Sequence, residues 1–339
     1  MRDSTLWIGA AAAAALGAAM AQRRPRESFR DRVVLITGGA RGLGLAIARQ
    51  LAPERPRLLL MSRTLAELDR AAADLTARGA SVRVIVGDVR DELRITAAVN
   101  SAVRRHGRLD VLINNAGVIQ AMPFEHAQTE DFEDSLATHF WGPLFAIRAA
   151  LPIMRRQGGG RIVNIASIGG RIGVPHLSSY CAGKFALVGL SEALHAELRK
   201  DNIAVTTVTP GLIRTGSHRN VLVRGQRRNE ARWFGLASAT SASSMSADRA
   251  ARQIVAAIRA RRARVTPGIQ ARVGELANAL APELVAAAMA MVASTVLPGP
   301  TTIEGNRGQA SRAIDLGWVE SLLPTRAARR FNQPAAAGA

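Results

Sequence analysis

Residues 32–37, RVVLIT, form a β-branched apolar run that stops abruptly at Thr37-Gly38-Gly39-Ala40-Arg41-Gly42-Leu43-Gly44. An amphipathic stretch follows to about Leu51. A buried strand that runs into glycines and then into a helix can fold in few ways. The glycines let the chain turn tightly, and they let backbone amides at the helix N-terminus approach a phosphate. Taken alone, the pattern also suits any tight strand-to-helix turn.

The same unit recurs along the chain. Residues 57–61 end at Ser62-Arg63, residues 81–86 close on Gly87-Asp88-Val89, and LDVLINNAG spans 109–117. Residues 162–165 form an apolar run with glycines on both sides, and AVTTVT at 204–209 leads into Pro210-Gly211-Leu212-Ile213-Arg214-Thr215. Helical patterns lie between these runs and at 247–262, and a short last strand is expected at 263–266. Short, continuously apolar runs separated by helices predict an α/β fold with a doubly wound parallel sheet, the Rossmann arrangement, covered on both faces. In such a sheet, chemistry is placed just beyond the carboxyl ends of the strands.

Ser167 stands at one of those ends, and Tyr180 and Lys184 follow at i and i+4 in a helical pattern, so they share a helix face. Tyr180 is the only tyrosine in the chain. A phenol needs a nearby cation to release its proton near neutral pH, and Lys184 is spaced to supply one.

With Tyr180 thirteen positions after Ser167, and with TGxxxGxG and NNAG before them, the chain resembles the short-chain dehydrogenase/reductase family over residues 31–266. The resemblance implies Ser167, Tyr180 and Lys184 as catalytic residues. It also implies a cofactor site made of Thr37, Gly38, Arg41, Gly42, Leu43, Gly44, Arg63, Asp88, Val89, Asn115, Ala116, Gly117, Tyr180, Lys184, Pro210, Gly211, Ile213 and Thr215. Where the family carries a fourth catalytic residue, an asparagine, this chain has His139 in ATHFWG. The asparagine acts mainly through its backbone carbonyl, which any residue retains. A core or capping role is therefore expected for the His139 ring. Asp88 can equally be the N-cap of the next helix.

A dinucleotide site for NAD usually places an acidic residue at the end of the second strand to bind the ribose hydroxyls. This chain has Arg63 there, with Arg41 inside the glycine turn. Two cations converging on one ribose suit a 2′-phosphate, which favours NADP and leaves NAD as the alternative. No metal is called for. Residues 216–246 are polar, arginine-rich and irregular, and are expected to form a substrate lid.

The chain is 339 residues long with a formal net charge of +19, which on its own suggests nucleic acid or an anionic membrane. Arginines spread along the whole length carry that charge, and the few aromatics are not interleaved with them, so nucleic-acid binding is not expected. Cys181 is the single cysteine, which excludes an internal disulfide and suits a reducing compartment.

Residues 6–21, LWIGAAAAAALGAAMA, precede Arg23-Arg24-Pro25-Arg26. A membrane anchor holding a cytoplasmic domain is preferred to a tail without a role, and secretion is the least suitable reading. The expected organisation is an apolar segment at 1–27, a catalytic domain at 28–270, and a helical extension with a basic tail at 271–339. Within that extension, 276–297 is an apolar helical segment able to cap the core, contact a second subunit or lie on a membrane. The reaction implied by the resemblance is hydride transfer between NADP and a carbonyl or secondary alcohol, by a homo-oligomer, and the two apolar segments able to hold it at a membrane point to a small lipophilic substrate. Two alternatives remain, an NADP-binding sensor without turnover and an NAD-dependent alcohol dehydrogenase of the same fold.

Overall fold

Seven strands line up in one sheet: β1 (Val33–Thr37), β2 (Arg57–Ser62), β3 (Ser81–Val86), β4 (Val111–Asn114), β5 (Gly160–Ile165), β6 (Ile203–Val208) and β7 (Arg264–Val265). Their order across the sheet is β7-β6-β5-β4-β1-β2-β3, and every pair is parallel. The computed structural model describes residues 27–240, 243–300 and 325–333. The apolar segment at 6–21, with the arginines that follow it as far as Arg26, lies outside the described residues.

Both faces of this sheet are covered, which is why the central strands need no polar alternation. Every residue of β1, β4, β5 and β6 is buried, whereas β3, at the sheet edge, is only half covered. One face packs against α1 (Gly42–Leu51), α2 (Leu65–Ala77) and α8 (Ala247–Arg259), through Leu45, Leu51, Leu68, Ile254 and Ile258. The other packs against α3 (Glu92–His106), α5 (Gly142–Arg156) and α6 (Ser178–Glu197), through Ile95, Val99, Ile147 and Met154.

The chain winds outward from β1 to β3 and then crosses back to β4 on the other side of β1. The crevice at the carboxyl ends of β1 and β4 is therefore the switch point of the fold, where ligands of doubly wound sheets bind. In register there, Thr37 pairs with Asn114, Asn114 with Asn164, and Asn164 with Thr207. Side chains tie this row together. Asn114 Nδ2 donates to Asn164 Oδ1 at 2.8 Å, and Ser191 Oγ accepts from Asn164 Nδ2 at 3.1 Å and from Thr207 Oγ1 at 2.8 Å. All four polar residues are buried and partnered, as burial at a sheet end requires.

Two expectations need correction. Residues 216–246 are not irregular. They contain α7 (Arg227–Ala239) and two short strands, Leu222–Val223 paired with Gln120–Ala121 and Ser244–Ser246 paired with Leu212–Arg214. The polar sequence hid a helix because its buried face is built from Glu230, Ala231, Phe234, Gly235 and Ser238 rather than from large aliphatics. The apolar segment at 276–297 belongs to two helices, α9 (Ile269–Leu280) and α10 (Pro282–Thr295), because Pro282 starts a new helix. A last helix, α11 (Thr325–Arg330), returns to the main body and buries Phe331 among the residues between α1 and α8.

Candidate active site

The glycine turn takes its shape from its own sequence. Gly38 and Gly42 hold φ of +63° and +57°, in the left-handed region that side chains disfavour. A Cβ on Gly44 would stand 2.3 Å from the Gly38 carbonyl oxygen, so α1 can pack this close to the turn only with glycine there. Thr37 Oγ1 accepts from the amides of Asn115 (3.0 Å) and Ala116 (3.2 Å), and Asn115 Nδ2 donates back to the carbonyls of Thr37 and Gly38. The NNAG exit of β4 thus braces the glycine turn of β1.

Both segments open on a cavity of about 460 Å³. Among the expected cofactor and catalytic residues, Thr37 and Gly44 do not line it, for they shape the turn from behind; the others do. Arg41 and Arg63 both line it. Arg41 Nη1 donates to Asn220 Oδ1 at 2.9 Å and lies 3.4 Å from Glu67, while Arg63 is 3.8 Å from Asp88. Burial raises the Asp88 carboxyl, but hydrogen bonds from the Arg90 side chain and backbone hold it below its usual value. Asp91, not Asp88, caps α3, accepting from the Arg94 amide at 3.1 Å.

Ser167, Tyr180 and Lys184 line the same cavity. Ser167 Oγ accepts from the Gly169 amide at 3.1 Å and shares a hydrogen bond with Tyr180. Lys184 Nζ donates to the Ile165 carbonyl at 2.8 Å and lies 5.7 Å from the centre of the Tyr180 ring. Burial pulls the lysine down to about 7. The same desolvation pushes the phenol up to about 12, with the Ser167 hydrogen bond opposing it. Burial is thus the largest influence on both groups, and it acts on each against its charged form.

His139 lies in a π-helical turn, Ala137–Trp141, between α4 (Thr129–Leu136) and α5. Pro143 has no N–H and cannot make the α-helical bond to the His139 carbonyl. The ring is buried, edge-on to Tyr180 with centroids 5.3 Å apart. Its Nε2 accepts from the Val118 amide at 3.2 Å, which places the proton on Nδ1, facing Ser135 Oγ at 3.2 Å. Burial first, and the Lys184 charge second, hold this imidazole well below its ordinary value. The buried ring links the β4 exit to the helix.

Sequence reasoning missed the wall made by α7. Trp233 and Phe234 face the cavity with Val174, Leu177, Leu212 and Leu222. The Glu230 carboxylate, fully buried, accepts from Trp233 Nε1 at 2.6 Å and holds His176 Nδ1 at 2.9 Å, joining α7 to the loop between Ser167 and Tyr180. The signal was a glutamate beside a tryptophan in an otherwise arginine-rich stretch. Asn220 and Gln333, which also line the cavity, carried no local signal.

Among the described residues no helix is long and apolar enough to cross a membrane, and no group of three or more His, Cys, Asp or Glu could hold a metal ion.

Residues 32–224 match the family model described as short chain dehydrogenase. Levodione reductase of Leifsonia aquatica is 39% identical over 194 residues, covering 56% of this chain and 73% of that protein. The crystal structure of L-sorbose reductase from Gluconobacter frateurii, complexed with NADPH and L-sorbose, superposes with a TM-score of 0.64 at 28% identity, covering 72% of this chain and 98% of the other. NAD+-bound xylitol dehydrogenase superposes with a TM-score of 0.64 at 25% identity, covering 71% and 100%.

Proposed function

The chain belongs to the short-chain dehydrogenase family, and from that premise we propose that it is an NADP-dependent reductase of an apolar ketone or aldehyde, with Tyr180 as the proton donor. The family makes it an oxidoreductase of carbonyl and alcohol groups served by a nicotinamide dinucleotide. The observation that carries the finer reading is the union of two groups in one cavity: Arg41 and Arg63 beside the glycine turn, and Ser167, Tyr180 and Lys184 against the apolar wall of α7.

The residues fit the dinucleotide. A Cβ at Gly42 would meet only Gln333 and Thr215, which leaves room before the N-terminus of α1, where an anion is favoured although the Gly42 amide itself is taken by the Phe331 carbonyl. Arg41 and Arg63 suit a 2′-phosphate, Asp88 and Val89 an adenine edge, and Pro210, Gly211, Ile213 and Thr215 the nicotinamide end. When bound, the nicotinamide ring supplies the hydride for reduction or takes it for oxidation.

The protein's own residues would then do the following. Ser167 holds the substrate oxygen and steadies the negative charge that develops on it. Tyr180, which keeps its proton at neutral pH, gives it to that oxygen; oxidation runs the same transfer backward. Lys184, held by the Ile165 carbonyl, is aligned beneath the phenol to relay a replacement proton. The His139 carbonyl, which Pro143 cannot take, is suited to holding a water that leads to Lys184.

Trp233, Phe234, Leu177 and Leu222 form a wall that offers few hydrogen bonds, which supports an apolar substrate over a sugar. The exposed Ile269, Val273, Leu276 and Leu280 of α9 and Leu284 and Met291 of α10 support a lipid surface as the place where such a substrate is met. The test is oxidation of NADPH and of NADH across a panel of cyclic ketones, long-chain ketones, aldehydes and sugars. Turnover with NADPH and apolar ketones is expected; turnover confined to NADH, or to sugars, would contradict the reading.

A further inference from the structure

The C-terminal residues from Thr325 to Gln333 end on the glycine turn, almost three hundred positions away in sequence. Phe331 is 3% exposed, and its carbonyl accepts from the Gly42 amide at 2.9 Å. Asn332, at a left-handed φ of +56°, donates from Nδ2 to the carbonyls of Ala40 and Glu67, both at 2.8 Å, and accepts from Arg70 Nε at 2.7 Å. Ala328 lies so close to Gly216 that a Cβ on that glycine would come within 2.5 Å of it, and Arg330 pairs with Asp248 at 2.7 Å. These contacts join the glycine turn, α2, α8 and the start of the lid through one short segment.

The segment places Gln333 in the wall of the cavity. Its Oε1 accepts from Asn220 Nδ2 at 2.7 Å, and Asn220 Oδ1 accepts from Arg41. Because Oε1 is turned to Asn220, Nε2 is turned to the glycine turn, 3.1 Å from where a Cβ of Gly42 would be. An N–H donor therefore stands over the N-terminus of α1, in line with Arg41, where an anion is favoured.

We propose that residues 325–333 are a working part of the dinucleotide site and that Gln333 donates from Nε2 to a phosphate oxygen of the bound dinucleotide, beside Arg41. This rests on the reading of the cavity as a dinucleotide site. The segment brings no charged group to the anion site: its Phe331 carbonyl takes the Gly42 amide, and Gln333 Nε2 stands beside it as a neutral donor. It also buries its anchor, Phe331, in the permanent core rather than in the cavity. The segment strengthens cofactor binding and does not block it.

The experiment is titration of NADPH into the full-length protein and its variants Gln333→Ala and Gln333→Glu, with thermal melting of each and separate determination of KM and kcat. Gln333→Ala is expected to raise the Kd and KM for NADPH roughly ten- to a hundredfold, the loss of one hydrogen bond to a charged group. The melting temperature and kcat should stay close to wild type, because the side chain lies at the cavity wall. Gln333→Glu should bind more weakly still, since a carboxylate would face a phosphate. If the wild type binds NADPH and both variants bind it as well or better, the segment is not part of the site. If the wild type binds no dinucleotide at all, the functional reading itself is overturned.

Discussion

Lys184 lies 5.7 Å from the centre of the Tyr180 ring and gives its hydrogen bond to the Ile165 carbonyl, 2.8 Å away at the end of β5. A strand end thereby sets the height of the lysine beneath the phenol. The arrangement costs the lysine its hydration, and the direction of its pKa shift, to about 7, follows from that loss.

A stability measurement reads this directly. The Lys184 ammonium titrates near 7 in the fold and near 10.5 when unfolded. Between those values the unfolded chain binds more protons, so the lysine makes stability rise with pH across that window. Lys184→Met should lose the rise and be the more stable protein at pH 7 relative to its own value at pH 9.5. Urea midpoints at both pH values check this. Equal pH dependence in the two proteins would mean that the lysine is not desolvated.

Cofactor choice rests on Arg63, whose only ion-pair partner among the described residues is Asp88 at 3.8 Å. Arg63→Ala should weaken NADPH binding by roughly 1–3 kcal/mol, the worth of a charge-assisted hydrogen bond, and leave NADH almost unchanged. Equal weakening of both cofactors in a titration would remove the 2′-phosphate assignment.

His139 is neutral and spent on the Val118 amide and Ser135. An asparagine can accept from the same amide. His139→Asn should therefore keep kcat within about one order of magnitude and leave the pH profile unshifted. Loss of a limb titrating near neutrality would show that the imidazole carries protons.

Much of this site was readable before any coordinates, for a physical reason. Strand positions followed from runs such as VVLIT and LLLM, because a sheet covered on both sides selects apolar residues without alternation. The glycine turn followed from steric need, since no side chain fits at Gly44. What escaped were contacts made by polar residues over long separations. Glu230 reads as a solvated helix residue until His176 and Trp233 are seen to bury it. Asn332 and Gln333 read as a tail, because nothing local reveals that their partners are Ala40, Glu67 and Asn220. The Tyr180–Lys184 spacing likewise says nothing of burial, which acts on both groups.

The central claim is that Tyr180 moves the proton while the cavity holds NADPH. The most direct measurement is NADPH titration and single-turnover NADPH oxidation, with a ketone that the wild type reduces, for wild type and Tyr180→Phe. The account predicts that the variant binds NADPH with nearly wild-type affinity and loses hydride transfer by several orders of magnitude. A variant that retains a substantial fraction of the wild-type rate would contradict it.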